Sequence, residues 1–414
     1  MPRHATSRQR PRRRPDASAS TRRGLSRFTR AALILGTLLA IAALWAAAHW
    51  LPEPAANLRL RADAAAREGR WLDALQLWAQ VNASPLADAF SWRAEARAAL
   101  ALGRAAHAER ALDQACRLDP ANPEPWLIRL ERLRMLGRPF EAMALGQAAV
   151  RAVPPSARQP ILRAWTLAIL ADPPDDLARA TLARWIAADP NDLDALAALD
   201  RRYAEYPQAS DPPRADRIAR LQNALLQNPS HLPTREALAI TLAETGQPQL
   251  GRSILNDWPP SQRNALYDRL DGRWALDYEN NPAHAVDALR RALAALPTDR
   301  RSRYRLARAL QATGLTDAAR AEAQLLARLY ETLEPVRLTQ RLDNALADNP
   351  IPPHTARDLA HLCRSVGLDQ LASLWDELAQ QPHNPTSASS PQNPTTPTPP
   401  HASTPWLVPN PPMA

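Results

Sequence analysis

The stretch SWRAEARAALALGRAAHAERALDQACRLDP, residues 91–120, decides the fold of this 414-residue chain. Apolar residues recur three and four positions apart in both of its halves, as they do on one face of an α-helix. Gly103 separates the halves, and glycine suits a tight turn because it tolerates φ > 0. Pro120 ends the second half, and proline cannot continue a helix. The stretch therefore predicts two helices joined by a short turn.

The same unit recurs along the chain with a period of 34 residues, which predicts a stack of similar helix pairs. The spacing stretches in the middle, where the loop at 205–213 is longer. We expect about nine helix pairs over residues 55–381, with one further helix at about 336–348. Residues of three types keep the period or twice it: Gly69, Gly103 and Gly137; Trp92 and Trp126; Pro120 and Pro154; Gly246 and Gly314.

The repeated unit resembles the tetratricopeptide repeat. Three contiguous units fit the family pattern, although Val81 replaces an alanine in residues 55–88 and Leu130 replaces a small residue in residues 123–156. The resemblance implies an all-α fold: an α-solenoid, or right-handed superhelix of helix pairs, whose first helices line a concave groove. In residues 89–122 the matching residues are Trp92, Ala96, Gly103, Ala108, Ala115 and Pro120.

The net positive charge of the chain arises entirely from its first 30 residues. The chain has a net charge of +9 and contains no lysine, so all 51 basic residues are arginine. Ten arginines and one aspartate lie in residues 1–30, and the remaining residues sum to zero. This distribution favours a basic, disordered cytoplasmic tail beside a membrane over a nucleic-acid-binding surface, with an RNA-binding tail as the alternative.

Residues 31–51, AALILGTLLAIAALWAAAHWL, are predicted to form one transmembrane helix. A helix of this length covers about 31 Å, close to the thickness of a bilayer core. Trp45 and Trp50 lie near one end, where indole rings favour the membrane interface. The arginines before the segment would hold the N-terminus in the cytoplasm. We therefore predict a single-pass inner-membrane protein with a periplasmic, or extracytoplasmic, repeat domain.

A cleaved signal peptide is the alternative interpretation of this segment. Ala46, Ala47 and Ala48 offer small residues to a peptidase, but the apolar run is longer than the usual signal core of about 7–15 residues. The mature product would then be an exported repeat protein that binds carbohydrate or cell-wall material. The small residues spaced four apart in residues 32–40 are compatible with weak self-association, although an alanine-rich segment produces this spacing by chance.

The last 33 residues have a different composition from the repeats. Residues 382–414 contain eleven prolines, many serines and threonines, and no Asp, Glu or Arg. Such a segment buries too little apolar surface to fold by itself, so a disordered tail is predicted. The repeat domain is accordingly expected to cover residues 55–381.

The sequence carries no recognisable catalytic motif, and we predict that the protein is not an enzyme. It contains no glycine-rich phosphate loop, no G-x-S-x-G, no H-E-x-x-H and no C-x-x-C. His354 and His361 are two helical turns apart, about 10 Å along the axis, which is too far to share a metal ion. Cys116 and Cys363 are expected to be separate core residues. No cofactor and no metal site are predicted.

The resemblance implies that ligand-facing residues lie on the first helix of each pair. Their bias towards arginine suggests a basic groove for an acidic peptide, a terminal carboxylate or an anionic glycan. The simpler alternative is that these arginines only solvate an exposed helix face. We predict a scaffold that binds other proteins or peptides, as an assembly or quality-control factor of the cell envelope. The predicted groove residues are Arg93, Arg97, Glu131, Arg134, Arg301, Tyr304, Arg308, Arg357 and Arg364.

Overall fold

A computed structural model describes residues 37–38, 55–346, 348 and 350–380 of the chain. These residues form helices, turns and loops, with no β-strand among them. Nineteen α-helices belong to one compact unit that begins at Ala55. The predicted all-α class is therefore confirmed for the described part of the chain.

The predicted basic tail, the predicted membrane segment except for Thr37 and Leu38, and the proline-rich tail lie outside the described residues. In the part of the chain that is described, none of the helices combines the length and the apolar character needed to cross a bilayer. Membrane anchoring therefore stays a prediction from the sequence.

The helices follow one another with short connections, and two 3-10 helices, Pro155–Ala157 and Pro260–Gln262, interrupt them. The α-helices are α1 (Ala55–Arg67), α2 (Trp71–Asn82), α3 (Ala89–Ala101), α4 (Ala105–Leu118), α5 (Pro123–Met135), α6 (Pro139–Ala152), α7 (Arg158–Leu170), α8 (Asp175–Ala188), α9 (Leu193–Glu205), α10 (Arg214–Gln227), α11 (Leu232–Glu244), α12 (Pro248–Asn256), α13 (Ala265–Asp277), α14 (Pro282–Ala295), α15 (Arg300–Ala312), α16 (Thr316–Thr332), α17 (Pro335–Ala345), α18 (Pro353–Ser365) and α19 (Asp369–Gln380).

The described helices form nine consecutive pairs, from α1 with α2 to α15 with α16, and finally α18 with α19. The single helix α17 lies between the last two pairs. This arrangement confirms the expected count of about nine pairs and the additional helix near residue 340. That helix ends at Ala345, about three residues earlier than predicted.

The turn inside a pair depends on glycine at the position that the sequence indicated. Gly103 has φ of +73°, its N–H donates to the Leu100 carbonyl at 2.9 Å, and the Arg104 N–H donates to the Ala99 carbonyl at 2.8 Å. These two bonds close a helix end that needs a left-handed residue, and glycine adopts that conformation without strain. Five other intra-pair turns repeat the geometry, at Gly69, Gly137, Gly246, Gly314 and Gly367.

Two of the pairs that lack this glycine use other devices. Between α13 and α14 the left-handed residue is Asn280, with φ of +51°, and asparagine tolerates that region better than most residues. Between α9 and α10 the long loop is held by Arg179 of α8. Its guanidinium pairs with Asp211 at 2.5 Å and also donates to the Tyr206 carbonyl. The longer spacing predicted in the middle of the array thus corresponds to an ordered loop.

Alanines bring the helices of a pair close together. Ala96 on α3 and Ala108 and Ala115 on α4 have no exposed surface. A side chain that ends at Cβ lets neighbouring backbones approach, so these positions explain why the repeat requires small residues. The buried stripe of each helix packs on its partner and on the adjacent pair, which is the expected construction of a repeat array.

The longest-range of the contacts between non-neighbouring pairs joins the end of the array to its middle. The last helix, α19, packs against α7, and residues of α4–α7 and α16–α19 share a single buried hydrophobic cluster. The pairs from α7 to α19 therefore form a closed circuit, while α1–α6 lead into it. The sequence analysis did not anticipate this closure.

Candidate binding site

The four predicted groove residues of the N-terminal half lie on α3 and α5, and three of them are engaged in ion pairs. Arg97 is exposed and its guanidinium lies 2.7 Å from the Glu124 carboxylate. Arg134 pairs with Glu131 at 2.8 Å, one helical turn away. Arg93 is half-buried, and its Nε has no hydrogen-bond partner. These side chains do not line the large cavity that lies further along the array.

The five predicted residues of the C-terminal half separate into two groups. Arg301, Tyr304 and Arg308 lie on α15, and the first two line a cavity. Arg357 and Arg364 lie on α18, away from that cavity, where both are exposed. The structure thus assembles only two of the nine predicted residues in one recess.

Arg308 and Arg364 form ion pairs with nearby helices. Arg308 lies 3.0 Å from Asp277 at the end of α13. Arg364 lies 2.5 Å from Asp376 on α19. Both guanidinium groups already have a carboxylate partner, so a ligand would have to compete for them.

The cavity that contains Arg301 and Tyr304 has a volume of about 600 Å³. It is bounded mainly by the first helices α7, α9, α11, α13 and α15, with the end of α16. This volume falls in the usual range for ligand sites, about 300–1,000 Å³. The lining contains four carboxylates and seven arginines, which are Arg201, Arg202, Arg269, Arg273, Arg300, Arg301 and Arg305.

Arg201 is held rigidly at the base of the cavity. Its guanidinium donates to the Leu136 carbonyl at 2.6 Å and to the Gly137 carbonyl at 3.2 Å, at the C-terminal end of α5. Carbonyls at a helix end carry partial negative charge, so they suit a cation. Burial lowers the pKa of Arg201, while Glu236 opposes this effect. Its Nε has no hydrogen-bond partner.

A buried glutamate joins two of the cavity arginines. Glu236 on α11 is only 2% exposed, and its carboxylate lies 2.5 Å from Arg269 of α13 and 3.6 Å from Arg201 of α9. An ionised side chain at this depth needs close partners of opposite charge. Glu236 therefore links the first helices of three successive pairs by charge as well as by packing.

A second ion pair crosses the cavity. Arg301 at the start of α15 pairs with Glu205 at the end of α9, although two complete helix pairs lie between these helices. The neighbouring Tyr206 phenol has its pKa raised to about 12, first by burial and then by the Glu205 carboxylate. This contact brings opposite walls of the cavity together.

Two arginines of the lining form no ion pair with any described carboxylate. Arg273 donates to the Tyr278 hydroxyl at 3.3 Å, and its Nε is buried without a partner. Arg300 donates to the Leu333 carbonyl at 3.4 Å and lies over the Tyr330 ring at 5.3 Å. These cations are the groups with unused capacity to bind an anion.

Three half-exposed tyrosines lie among these arginines: Tyr206, Tyr304 and Tyr330. Their rings offer flat apolar surface, and their hydroxyl groups can donate or accept a hydrogen bond. Aromatic and guanidinium groups together are typical of sites that dominate the energy of protein recognition. The cavity is therefore suited to binding an anionic partner.

The potential metal ligands of the described residues are dispersed. Among them, no group of three or more His, Cys, Asp or Glu side chains is placed to hold a metal ion. His354 and His361 are both exposed on α18, and burial raises the pKa of the nearby Cys363 thiol to about 12. A thiol with so high a pKa is a poor metal ligand or nucleophile.

The predicted groove residues include few of the cavity residues, because they were taken from α3, α5, α15 and α18. Much of the cavity lining lies on α7, α9, α11 and α13, in the middle pairs. Arg269 and Arg273 on α13 lie 35 residues before Tyr304 and Arg308 on α15, so they occupy equivalent positions of the repeat. This offset was available in the sequence. No local pattern, however, indicated that Glu205 would meet Arg301.

Neither a protein-family model nor a curated protein matches the sequence. Similar solved structures include human IFIT1, a dimer with PPP-AAAA, at 16% identity, with 81% of this chain and 70% of that chain covered and a TM-score of 0.31. Yeast Tom70 is 11% identical, with 78% and 75% covered and a TM-score of 0.29. The TPR domain of P58(IPK) is 14% identical, with 80% and 93% covered and a TM-score of 0.27.

Likenesses with TM-scores this low say nothing about ligands or about the closure of the array. The resemblance rests instead on features of the chain itself: consecutive helix pairs, the 34-residue spacing and the left-handed glycine turns. The described part of this chain is an all-α array of tetratricopeptide-like helix pairs.

Proposed function

We propose that this chain is a membrane-anchored, extracytoplasmic scaffold that binds other proteins through the cavity of its helical array. The observation that carries the proposal is the pair of cavity arginines, Arg273 and Arg300, that have no carboxylate partner among the described residues. An acidic segment of a partner protein would supply the missing anion. The partner would belong to the assembly or quality control of the cell envelope.

Charge and shape support an acidic protein segment as the ligand. Guanidinium groups bind carboxylates through two parallel hydrogen bonds, and such charge-assisted bonds are stronger than neutral ones. The tyrosines at the same recess would pack against the apolar parts of that segment. The internal ion pairs of Arg201, Arg269 and Arg301 would keep the rest of the wall in place, so that little ordering is required on binding.

Anchoring is proposed from the sequence of residues 31–51 and from the arginines that precede it. Membrane fractionation and mature mass test this part of the proposal. Full-length protein that resists carbonate extraction would support an anchor. A shortened, soluble exported product would favour the alternative of a cleaved repeat protein that binds wall material. If a C-terminal reporter that functions only in the cytoplasm were active, this result would contradict export.

The cavity can be tested by capture in intact membranes. A photoreactive benzoylphenylalanine in place of Tyr304 would crosslink a bound partner. Arg273→Gln together with Arg300→Gln should lower recovery of that partner about tenfold or more, because each charge-assisted hydrogen bond contributes about 1.5–3 kcal/mol. Unchanged recovery would refute the cavity as the binding site.

Two further variants complete this experiment. Arg320→Gln with Arg328→Gln removes the same charge from the exposed face of α16 and should leave recovery unchanged. Arg93→Glu with Arg97→Glu tests the predicted groove residues of α3. A loss of capture in this variant would mean that the partner extends beyond the cavity onto the N-terminal pairs.

A further inference from the structure

The last helix of the described chain is fastened to a helix near the middle of the array. The Trp375 side chain on α19 is fully buried, and its Nε1–H donates to the Thr166 hydroxyl of α7 at 3.0 Å. These residues are 209 positions apart. Thr166 in turn donates to the Leu162 carbonyl at 2.7 Å, so the hydroxyl is oriented to accept from the indole.

Polar contacts flank this buried bond on both sides. The Gln147 side-chain amide of α6 donates from Nε2 to the side-chain Oε1 of Gln370 at 2.8 Å, on the exposed surface. Arg158 at the start of α7 lies 3.7 Å from Glu377 of α19. Three contacts of different kinds along one helix fix its direction and its register on the adjacent helices α6 and α7.

The contact between α19 and α7 also builds part of the cavity. Leu170 of α7 and Leu333 after α16 line the cavity and belong to the hydrophobic cluster that contains Trp375. Leu170 lies one helical turn after Thr166. Separation of α19 from α7 would therefore remove support from one wall of the cavity and from the Leu333 carbonyl, which accepts from Arg300.

We propose that the C-terminal helix pair is an intramolecular clasp, whose seating on α6 and α7 closes the array and controls access to the arginine cavity. This regulation rests on the proposed function for its biological purpose, but the clasp itself does not depend on the partner. If a ligand binds only the closed cavity, closure of the clasp strengthens ligand binding. By thermodynamic linkage, the bound ligand then stabilises the closed clasp by the same free energy.

A thiol crosslink across the clasp tests the proposal. In the full chain, Gln147→Cys with Gln370→Cys places two exposed thiols at the surface contact, where a short thiol-to-thiol reagent should bridge them within one molecule. Gln80→Cys with Gln370→Cys is the matched control, because Gln80 lies beside a separate recess between α1 and α2 and should not be bridged. Equal bridging of both pairs, or of neither, would overturn the clasp.

The native thiols do not interfere with this experiment. Cys116 and Cys363 are both buried, and burial raises their pKa values to about 11 and about 12. Reagents that require a thiolate therefore react with the introduced cysteines first. A chain capped with a monofunctional maleimide at the same two positions provides the unbridged reference, in which the clasp is free to open.

Control of access is measured by arginine modification, which requires no partner. Phenylglyoxal should modify Arg273 and Arg300 about tenfold more slowly in the bridged chain than in the capped chain, a value within the usual range for coupling between two sites. The exposed Arg320 should react equally in both. If bridging occurs but the two cavity arginines react at the same rate, the clasp does not control access and the proposal fails.

The two proposals can fail separately. Slower modification of the bridged chain without any captured partner would retain the clasp and reject the protein-binding function. Capture that depends on Arg273 and Arg300 but not on the bridge would retain the function and reject the clasp. Each result is therefore informative about one proposal alone.

Discussion

The N-terminal pairs α1–α6 and the closed circuit α7–α19 are built from the same unit but packed in different ways. The first region follows the 34-residue period closely, and many of its core residues are alanines with no exposed surface. The second region departs from the period, and its core contains five fully buried tryptophans: Trp165, Trp185, Trp258, Trp274 and Trp375. One of these large side chains, Trp375, reaches a distant repeat.

Buried charged side chains are more numerous in the second region than in the first. Asp200 of α9 has no exposed surface and binds Arg217 of α10 at 2.8 Å and Arg220 at 3.0 Å. Breaking such a pair costs far more than its formation contributes, because the remaining charge stays buried. Ion pairs of this kind therefore specify how irregular pairs meet, where the repeat pattern alone would leave several arrangements open.

The largest expected effect is that of removing the tryptophan of the clasp. Trp375→Ala should lower the free energy of unfolding by about 4 kcal/mol, because it deletes a fully buried side chain and leaves a void. Hydrogen exchange should then accelerate in α7, although this helix lies more than 200 residues earlier. Denaturant unfolding followed by exchange mass spectrometry measures both quantities.

The matched variant in the N-terminal region is Trp78→Ala. This side chain is also buried, at 1% exposure, and a similar loss of stability is expected. Faster exchange should not reach α19, since the hydrophobic cluster around Trp78 extends to α8 and α9 but contains no residue of α19. If Trp78→Ala accelerated exchange in α19, or if Trp375→Ala left α7 protected, the difference between the two regions would not exist.

Asp194 allows the contribution of a buried ion-pair network to be tested in the same way. Its carboxylate lies 2.6 Å from Arg138 and 3.2 Å from Arg132 and from the His231 ring, so it links α5, α9 and α11. Asp194→Asn should lower the free energy of unfolding by about 2 kcal/mol, because Arg132 and Arg138 would each lose one of two carboxylate partners and keep only Asp192 and Glu141, respectively. A loss below about 1 kcal/mol in urea unfolding would contradict this role.

The same variant makes a prediction about pH. Burial alone would raise the pKa of Asp194, but Arg138, His231 and Arg132 outweigh it and hold the pKa well below its usual range. A carboxyl whose pKa is lower in the folded than in the unfolded protein stabilises the fold at pH values above its unfolded pKa of about 3.9. This contribution is lost as the pH falls from there towards the folded pKa. The stability difference between wild type and Asp194→Asn should therefore shrink from pH 6 to pH 2.

Substitutions at two glycines measure the cost of a steric clash and the cost of backbone strain separately. A Cβ at Gly146 of α6 would overlap the Trp165 ring of α7, so Gly146→Ala should cost about 2 kcal/mol. Gly137 has φ of +61° and open space around it, so Gly137→Ala should cost only about 1 kcal/mol, from the left-handed backbone. Thermal unfolding of both variants decides the order, and a larger loss for Gly137→Ala would refute this assignment.

The smallest effect is expected at an exposed ion pair. The side chain of Arg320 is 69% exposed and that of its partner Asp317 is 93% exposed, at a distance of 2.8 Å. Arg320→Ala should change the free energy of unfolding by less than about 0.5 kcal/mol, since water and salt screen such pairs. A loss comparable to that of Asp194→Asn would remove the distinction between buried and surface charge.

The sequence predicted what is local. The turn at Gly103, the close alanines and the period required only the spacing of residues within one unit, and six of the nine glycines after residue 51 take the expected left-handed turn. The pairing of Trp375 with Thr166, and of Glu205 with Arg301, was not predictable, because it depends on how small rotations between pairs add up. Each of these residues resembles an ordinary core or surface position in isolation.

The seating of α19 on α7 has a consequence for the order in which the protein is made. The helix α7 emerges from the ribosome, or crosses a translocation channel, long before Trp375 does. At about 5–20 residues per second, the 209 intervening residues require on the order of 10–40 s. During that interval one apolar flank of α7 has no covering helix, so a nascent chain stalled before α18 should be a substrate for holding chaperones.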